Sequence, residues 1–429
     1  MRRFSSPTNM LAVREMIGEL IHMRKLLLAA LVLSAAPLLA QTAPAPIDPM
    51  ANDQVASYDW VRPQADYVRR EVMVPMRDGT KLFTVIVFRK GTRDAPILLS
   101  RTPYDANGAT SRNRSQRIEE ILPVMDAPFV NDGYIRVYQD VRGLHKSEGE
   151  YVMARPARGP LNKTGIDNST DAYDTIDWLV KNVPEANGKV GIIGSSYLGF
   201  TSLMALIDPH PALKAAVPQS PMVDGWMGDD WFHNGAFRTF TFDYDLGQTV
   251  KSGGGAVPIG IGDEYETYLD AVSSGGFARA WGIDHLPSVR KLLEHPAYDQ
   301  YWQEQAVDKL LAKRKLTVPT LVMLGQWDQE DSYGGPAVFK AIKAAQPDAP
   351  ITLGIGPWRH SGANYEGYSL GAIKFEGDTA LQFRLNWIKP FLDCRLKTGA
   401  APCKAMPAAA DDATGTNRWE TDSKWPAGT

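Results

Sequence analysis

Two adjacent serines follow a short apolar run in the segment IIGSSYLGF. A serine nucleophile in a strand-to-helix turn needs small neighbours, because the strand and helix backbones nearly touch there. Ser196 has Gly194 two positions before it, whereas Ser195 has Ile193 there, so the spacing favours Ser196 as the nucleophile. The pattern departs from G-x-S-x-G, because the second glycine is Gly199, one position later than usual. A serine pair that caps a helix is the alternative interpretation.

A serine hydroxyl is a weak nucleophile at neutral pH, so it needs a base that is itself oriented by a carboxylate. In folds with this kind of turn, the chain order is serine, then acid, then histidine. His360, in GPWRHSG, follows a late apolar run, and Asp328 is the first acid after the run VPTLVMLG. Order and position therefore predict a triad of Ser196, Asp328 and His360. A structural role is the alternative for a single histidine in a loop.

The oxyanion that forms during acyl transfer needs fixed hydrogen-bond donors, each worth roughly 2.7 to 4 kcal/mol. The residue after the nucleophile supplies one donor through its backbone N–H, and that residue is Tyr197. The other donor is expected from the loop after an early strand, and the segment APILLSRTPYD places Tyr104 in such a loop. An ordinary turn is the alternative for Tyr104.

Short apolar runs that end in polar or Gly-rich loops must position these residues. They are APILLS, GYIRVYQD, KVGIIG, LKAAVPQS, VPTLVML and APITLGI, and helix-like stretches such as STDAYDTIDWLVKNV, with a Ser/Thr cap, lie between several of them. This alternation predicts an α/β fold with a mostly parallel sheet covered on both faces, after an antiparallel hairpin around RDG. Residues 221–316 lack convincing strands and become strongly helical, which predicts a cap above the carboxyl ends of the strands.

The composition limits the classes of partner. Of the 429 residues, 44% are hydrophobic and 22% charged, as expected for a folded protein with a large core. A formal net charge of −3 offers no broad positive field to nucleic acid or to an anionic membrane. A small-molecule partner is therefore favoured.

The N-terminal region carries a targeting pattern. From Met23 a basic pair, an apolar run and small residues ending near Ala40 are typical of a secretory signal peptide, and the run is too short for a membrane span. Residues 1–22 are either an upstream start or an amphipathic extension. We expect a periplasmic or secreted protein with no membrane partner after cleavage. An oxidising compartment favours a disulfide between Cys394 and Cys403 over two free thiols.

The motifs RTPY, QDVRGLHKSEGEYV, GPLN, GSSYLGF, WDQED and GPWRHSG occur in a consistent order over roughly residues 55–400. Together they resemble the α-amino-acid ester hydrolases, which are relatives of cocaine esterase and the X-Pro dipeptidyl peptidases. The resemblance implies an α/β-hydrolase fold, a helical cap and a C-terminal jelly-roll β-sandwich. It also implies the triad at the three positions already predicted, and an oxyanion hole formed by the Tyr197 backbone and the Tyr104 hydroxyl.

The resemblance further implies a carboxylate cluster that binds the α-ammonium group of the substrate, at Asp230, Glu330 and Asp331. Three acids beside a triad would repel one another until a cation relieves them, which is consistent with such a role. A solvated acidic loop and a set of Ca²⁺ ligands are the alternatives.

The expected domain organisation follows from these patterns. An N-terminal extension and signal peptide cover 1–40, and the hydrolase domain covers 41–220 and 317–400 with the cap of 221–316 between them. The tail of 401–429 resembles the start of a jelly-roll domain, which is expected to be truncated.

The function implied is serine hydrolysis of α-amino acid esters through an aminoacyl-enzyme, with acyl transfer to β-lactam amines as an extension. No metal or organic cofactor is expected, and the resemblance is compatible with a homo-oligomer. The alternatives are a cocaine-esterase-like carboxylesterase or X-Pro dipeptidyl peptidase without an α-amine requirement, and an inactive truncated remnant.

Overall fold

The computed structural model describes part of the chain. The described residues are 48–54, 62–228, 231–238, 241–250, 257, 263–413, 415–416 and 418–425. The predicted signal peptide and Asp230 lie outside them. The chain divides into two units, Met1–Tyr58 and Asp59–Thr429. In the first, the Ala51 N–H donates to the Asp48 carbonyl to form a turn; everything below concerns the second.

A ten-stranded sheet forms the centre of the second unit, in the order β1-β2-β4-β3-β5-β6-β9-β10-β13-β14. All strands, including two separate short pairs, are β1 Tyr67–Pro75, β2 Lys81–Arg89, β3 Ala95–Thr102, β4 Ile135–Asp140, β5 Ala186–Ser196, β6 Leu213–Pro221, β7 Phe232–His233, β8 Ala236–Phe237, β9 Thr320–Gly325, β10 Ile351–Gly356, β11 Ser369–Leu370, β12 Ile373–Lys374, β13 Ala409–Asp412 and β14 Trp419–Asp422. The hairpin predicted around RDG is the antiparallel pair of β1 and β2.

Within this sheet, each neighbouring pair in the run β4-β3-β5-β6-β9-β10-β13 is parallel, so the carboxyl ends of these strands meet at one edge. Ser196 ends β5, Asp328 follows β9 and His360 follows β10. Apolar side chains on the two faces of the sheet pack into two separate clusters, each of which also includes residues of the helices that cover that face. The α/β fold predicted from the sequence is therefore confirmed.

The helices cover the sheet and its carboxyl edge. They are α1 Ala106–Ala109, α2 Ile118–Ile121, α3 Ala127–Val130, α4 Asn168–Asn182, α5 Tyr197–Met204, α6 Thr241–Thr249, α7 Glu264–Asp270, α8 Ser274–Ala280, α9 Pro287–Glu294, α10 Gln300–Gln305, α11 Val307–Ala312, α12 Gly334–Ala345, α13 Thr379–Phe383 and α14 Lys389–Leu396, with a π-helical stretch at Arg384–Ile388. None of the described helices is long and apolar enough to span a bilayer.

The start of α4 differs from the sequence prediction of a Ser/Thr cap. Asp167 is the cap, because its side chain accepts the Thr170 N–H while the Thr170 hydroxyl accepts the Asp167 N–H. Each side chain thus satisfies a backbone donor at the helix start.

The region predicted as a helical cap contains α6 to α11, together with the short antiparallel pair of β7 and β8. Its aromatic residues pack on one another: the rings of Phe232 and Trp302 lie 5.6 Å apart, and those of Phe242 and Phe277 lie 5.5 Å apart.

The tail predicted as the start of a jelly-roll pairs with the hydrolase sheet where it is described. Strand β13 pairs in parallel with β10, and β14 pairs antiparallel with β13. Cys394 of α14 and Cys403, near the start of the tail, are joined in a disulfide.

Candidate active site

The candidate nucleophile lies in a left-handed turn. Ser196 ends β5 and precedes α5, and its backbone has φ 60° and ψ −124°. In α/β-hydrolases such a turn exposes the serine hydroxyl above the sheet. The first N–H groups of a helix have no intrahelical partner, so the Tyr197 N–H is directed to the same region.

Two glycines allow this turn to form. A Cβ atom on Gly194 would lie 2.3 Å from the Cβ of Leu198, and one on Gly199 would lie 2.5 Å from the carbonyl oxygen of Gln219. The departure from G-x-S-x-G therefore has a structural reason. Leu198, two positions after the serine, packs against Gly194. Gly199, the next residue, packs against the backbone of β6.

Asp328 and His360 form a buried, hydrogen-bonded pair. The Nδ1 atom of His360 lies 3.0 and 3.1 Å from the two carboxylate oxygens of Asp328. A carboxylate only accepts hydrogen bonds, so Nδ1 carries the proton and Nε2 of a neutral ring is left as a base. The backbone N–H groups of Glu330 and Asp331 also donate to Asp328 Oδ1, each over 2.9 Å.

A pair of serines joins the nucleophile turn to the histidine loop. The hydroxyl oxygens of Ser195 and Ser361 are 2.8 Å apart, and these residues directly precede Ser196 and follow His360. Ser361 has a left-handed backbone, with φ 58°. The structure therefore places the three predicted triad residues on adjoining segments at the carboxyl edge of the sheet.

Ser220 supports the acid from the end of β6. Its backbone is also left-handed, with φ 36°, and its side chain hydrogen-bonds to Asp328. Burial opposes the charge of Asp328, but the hydrogen bonds from His360, Ser220 and the Asp331 N–H outweigh it and lower the pKa of Asp328 below the ordinary 3.8. Asp328 is therefore ionised when the imidazole accepts a proton.

Two of the three predicted ammonium-binding acids lie beside the imidazole. Glu330 Oε2 is 3.4 Å from His360 Nε2, and Asp331 Oδ2 is 3.8 Å from His360 Nδ1. Asp331 is buried and Glu330 is partly exposed. Asp230 is not among the described residues, so its position relative to these acids stays a prediction. Within the described part of the chain, no group of three or more His, Cys, Asp or Glu residues is placed to hold a metal ion.

The two predicted oxyanion residues differ in environment. Tyr197 is buried, and its hydroxyl accepts the Ala154 N–H at 3.3 Å, so only its backbone is directed to the nucleophile turn. The Tyr104 side chain is 44% exposed, and its hydroxyl lies 3.2 Å from the hydroxyl of Tyr244 on α6 of the cap.

A cavity of about 360 Å³ lies between the cap and residues 143–153. Trp231 and Tyr301 contribute to its wall, and the buried Asp245 accepts a hydrogen bond from the Ser288 hydroxyl at 2.5 Å. Burial raises the pKa of Asp245 to about 6.

Sequence reasoning missed Ser220, Ser361 and Tyr244. Both serines lie in quoted segments, LKAAVPQS and GPWRHSG, but nothing in those segments indicates their roles, which arise from left-handed backbone at the end of β6 and in the loop after β10. Tyr244 reaches Tyr104 from 140 residues away, through the placement of the cap.

Comparison with known proteins extends these observations. Residues 78–362 match the family described as X-Pro dipeptidyl-peptidase (S15 family). A solved α-amino acid ester hydrolase is 53% identical, with a TM-score of 0.81, over 89% of this chain and 62% of that chain. A solved aminopeptidase from the marine sediment archaeon Thaumarchaeota archaeon is 45% identical, with a TM-score of 0.82, over 88% of this chain and 62% of that chain. Cocaine esterase from Rhodococcus sp. (strain MB1 Bresler) is 28% identical over 377 residues, 84% of this chain and 60% of that protein.

The chain therefore spans less than two thirds of the length of these relatives. The matched segment nevertheless covers more than half of this chain and contains the nucleophile turn, the acid and the histidine. The chain belongs to the X-Pro dipeptidyl-peptidase (S15) family.

Proposed function

We propose that this protein is a serine hydrolase that cleaves esters of α-amino acids through an aminoacyl-enzyme. The observation that carries the proposal is the carboxylate of Glu330, which lies 3.4 Å from His360 Nε2. That carboxylate is not needed to orient the ring, because Asp328 does so through Nδ1. A carboxylate at the reacting edge of the imidazole instead offers an ion pair to a cation on the substrate, and an α-ammonium group lies one bond from the α-carbon.

The proposed reaction uses the predicted triad and oxyanion residues in sequence. Ser196 attacks the ester carbonyl carbon while His360 Nε2 accepts the hydroxyl proton, and Asp328 stabilises the resulting imidazolium. The Tyr197 N–H and the Tyr104 hydroxyl donate to the carbonyl oxygen as it gains negative charge. His360 then gives the proton to the departing alcohol. Water then attacks the aminoacyl-enzyme while His360 accepts a proton from it. This step releases the amino acid and restores Ser196.

An amine in place of water would convert the same intermediate into an amide. We include transfer to β-lactam amines in the proposal on the strength of the likeness to α-amino acid ester hydrolase. We also propose export to the periplasm or the exterior, which the disulfide between Cys394 and Cys403 supports.

Aminopeptidase activity is the second candidate, and the 45% identical aminopeptidase favours it. The same carboxylates would then bind the free N-terminus of a peptide, and the leaving group would be an amine instead of an alcohol. Hydrolysis of phenylglycine methyl ester and of a phenylglycyl dipeptide, compared on one preparation, separates the two activities.

The test of the ammonium site compares phenylglycine methyl ester with phenylacetic methyl ester. We expect the wild-type protein to prefer the amino ester. Glu330→Gln should raise KM for the amino ester about 10-fold or more, because a charged partner of the ammonium is lost. It should leave the phenylacetic ester nearly unchanged, since that substrate has no cation.

Glu294→Gln removes a carboxylate from the exposed surface of α9 and is the matched control. Ser196→Ala should abolish both hydrolysis and labelling by a phosphonate. Equal wild-type rates for the two esters would reject the ammonium site, whereas a folded protein that no phosphonate labels at Ser196 would be an inactive remnant.

A further inference from the structure

The backbone that carries Tyr104 is held by polar contacts on both sides of the tyrosine. The Tyr104 N–H donates to Thr102 Oγ1 at 2.9 Å. On one side, the carbonyl of Pro103 accepts a hydrogen bond from His145 Nε2 at 2.8 Å. On the other side, the Ala106 N–H donates to Asp140 Oδ1 at 2.6 Å. We refer to residues 102–106 as the tyrosine loop.

Both outer contacts come from the chain that leaves β4. Asp140 ends that strand, directly opposite Thr102 in the register of β3 and β4, and His145 follows a tight turn. This segment is itself anchored, because Arg142 binds Asp171 at 2.7 Å and Asp78 at 2.8 Å. The motif QDVRGLH, which the proposed reaction does not use, therefore builds a support beside the tyrosine loop.

The tyrosine loop needs this support for two reasons. Its next residue, Asp105, has a left-handed backbone with φ 69°, which a non-glycine residue adopts only when its surroundings enforce it. In addition, the Tyr104 side chain is 44% exposed, so close packing contributes little to its orientation. The direction of the hydroxyl depends on its contact with the Tyr244 hydroxyl and on the backbone at positions 103–105.

We propose that His145 is a positioning residue for Tyr104: its hydrogen bond to the Pro103 carbonyl holds the tyrosine hydroxyl where the oxyanion forms. This inference rests on the proposed function. An oxyanion donor must lie about 2.7 to 3.1 Å from the developing charge, and a shift of about 1 Å costs on the order of 100-fold in rate. Loss of the contact should therefore lower kcat and leave KM nearly unchanged.

The test is a double-mutant cycle with Tyr104→Phe, assayed on phenylglycine methyl ester. We expect His145→Ala to lower kcat by about 10- to 100-fold in the Tyr104 protein. In the Tyr104→Phe protein, the same change should cost less than about 2-fold, because the hydroxyl that His145 positions is already gone. A purely structural role would produce the same loss in both backgrounds.

His145→Gln keeps an N–H donor of similar reach and should restore most of the activity. His145 has a left-handed backbone with φ 50°, so His145→Asn, which tolerates that conformation but is too short for the contact, is a second variant if His145→Ala unfolds. His285→Ala, an exposed histidine of the cap, is the matched control.

Three results would overturn the inference: equal losses in the two backgrounds, full activity of His145→Ala, or no recovery in His145→Gln. If Tyr104→Phe is itself as active as the wild type, both the oxyanion role of Tyr104 and the positioning role of His145 are rejected. If Tyr104→Phe is impaired but the losses are additive, the proposed function stands and only the role of His145 is rejected.

Discussion

Burial and hydrogen bonding act in opposite directions on Asp328. Removal from water favours the protonated carboxyl, whereas His360, Ser220 and a backbone N–H stabilise the carboxylate, and the balance lowers its pKa. An acid in this state keeps the imidazole in the tautomer whose Nε2 is unprotonated and can accept a proton. The residue that orients the base therefore also stabilises the native state when it is ionised.

This balance predicts a pH-dependent contribution to stability. A lowered folded-state pKa gives stabilisation that is present above the unfolded value near 3.8 and is lost as pH falls through the folded value. The difference in unfolding free energy between the wild type and Asp328→Asn should thus be constant above about pH 5 and should shrink on further acidification. Urea unfolding from pH 7 to pH 3 measures it, and a difference that grows in acid would contradict the assignment.

Among the elements, helix α6 of the cap carries an acid whose pKa is raised instead of lowered. Asp245 on α6 is buried beside the cavity, and burial raises its pKa to about 6 despite the Ser288 hydrogen bond and the positive charge of Lys291. The contribution of Asp245 to the free energy of unfolding is largest below its unfolded-state pKa near 3.8, where the carboxyl is protonated. That contribution is lost as pH rises through the folded-state pKa of about 6. At neutral pH the cap therefore holds a buried charge at a cost in stability.

Asp245→Asn should remove that cost, because an amide still accepts the Ser288 hydrogen bond. The variant is expected to match the wild type near pH 4 and to exceed it in unfolding free energy by on the order of 3 kcal/mol at pH 8. Asp270→Asn, which removes an exposed carboxylate from the same cap, is the control. An Asp245→Asn protein that is less stable than the wild type at pH 8 would show that the ionised carboxylate is required.

The alternation of apolar runs and helical stretches was sufficient to predict the parallel sheet and the edge where Ser196, Asp328 and His360 lie. It did not predict β13, because the sequence AADD has no apolar alternation and becomes a strand only by pairing with β10. The N-cap residue of α4 was misassigned for a related reason: Asp167, Ser169 and Thr170 are all residue types that suit a helix start, and only the backbone path decides among them.

At the scale of the whole molecule, a covalent bond joins the end of the hydrolase domain to its tail. Cys394 and Cys403 are nine positions apart, and a loop of that size is expected to contribute about 2 to 3 kcal/mol by restricting the unfolded chain. A reducing agent should therefore lower Tm of the wild type and leave the Cys394→Ser/Cys403→Ser double variant unchanged. Equal responses of the two proteins to the reductant would mean that the bond contributes nothing in solution.

The left-handed serines at 196, 220 and 361 end or follow three different strands; Ser196 belongs to the proposed triad, and the other two contact or adjoin its members. Each non-glycine residue in such a conformation costs on the order of 1 to 3 kcal/mol. The backbone strain of three residues is therefore concentrated at the proposed active site. Glycine at position 220 or 361 would relax the backbone but delete a hydroxyl that fixes the acid or the histidine loop. Thermal robustness and turnover are therefore in direct competition at this edge, and selection for a more heat-resistant protein would have to find its gains elsewhere.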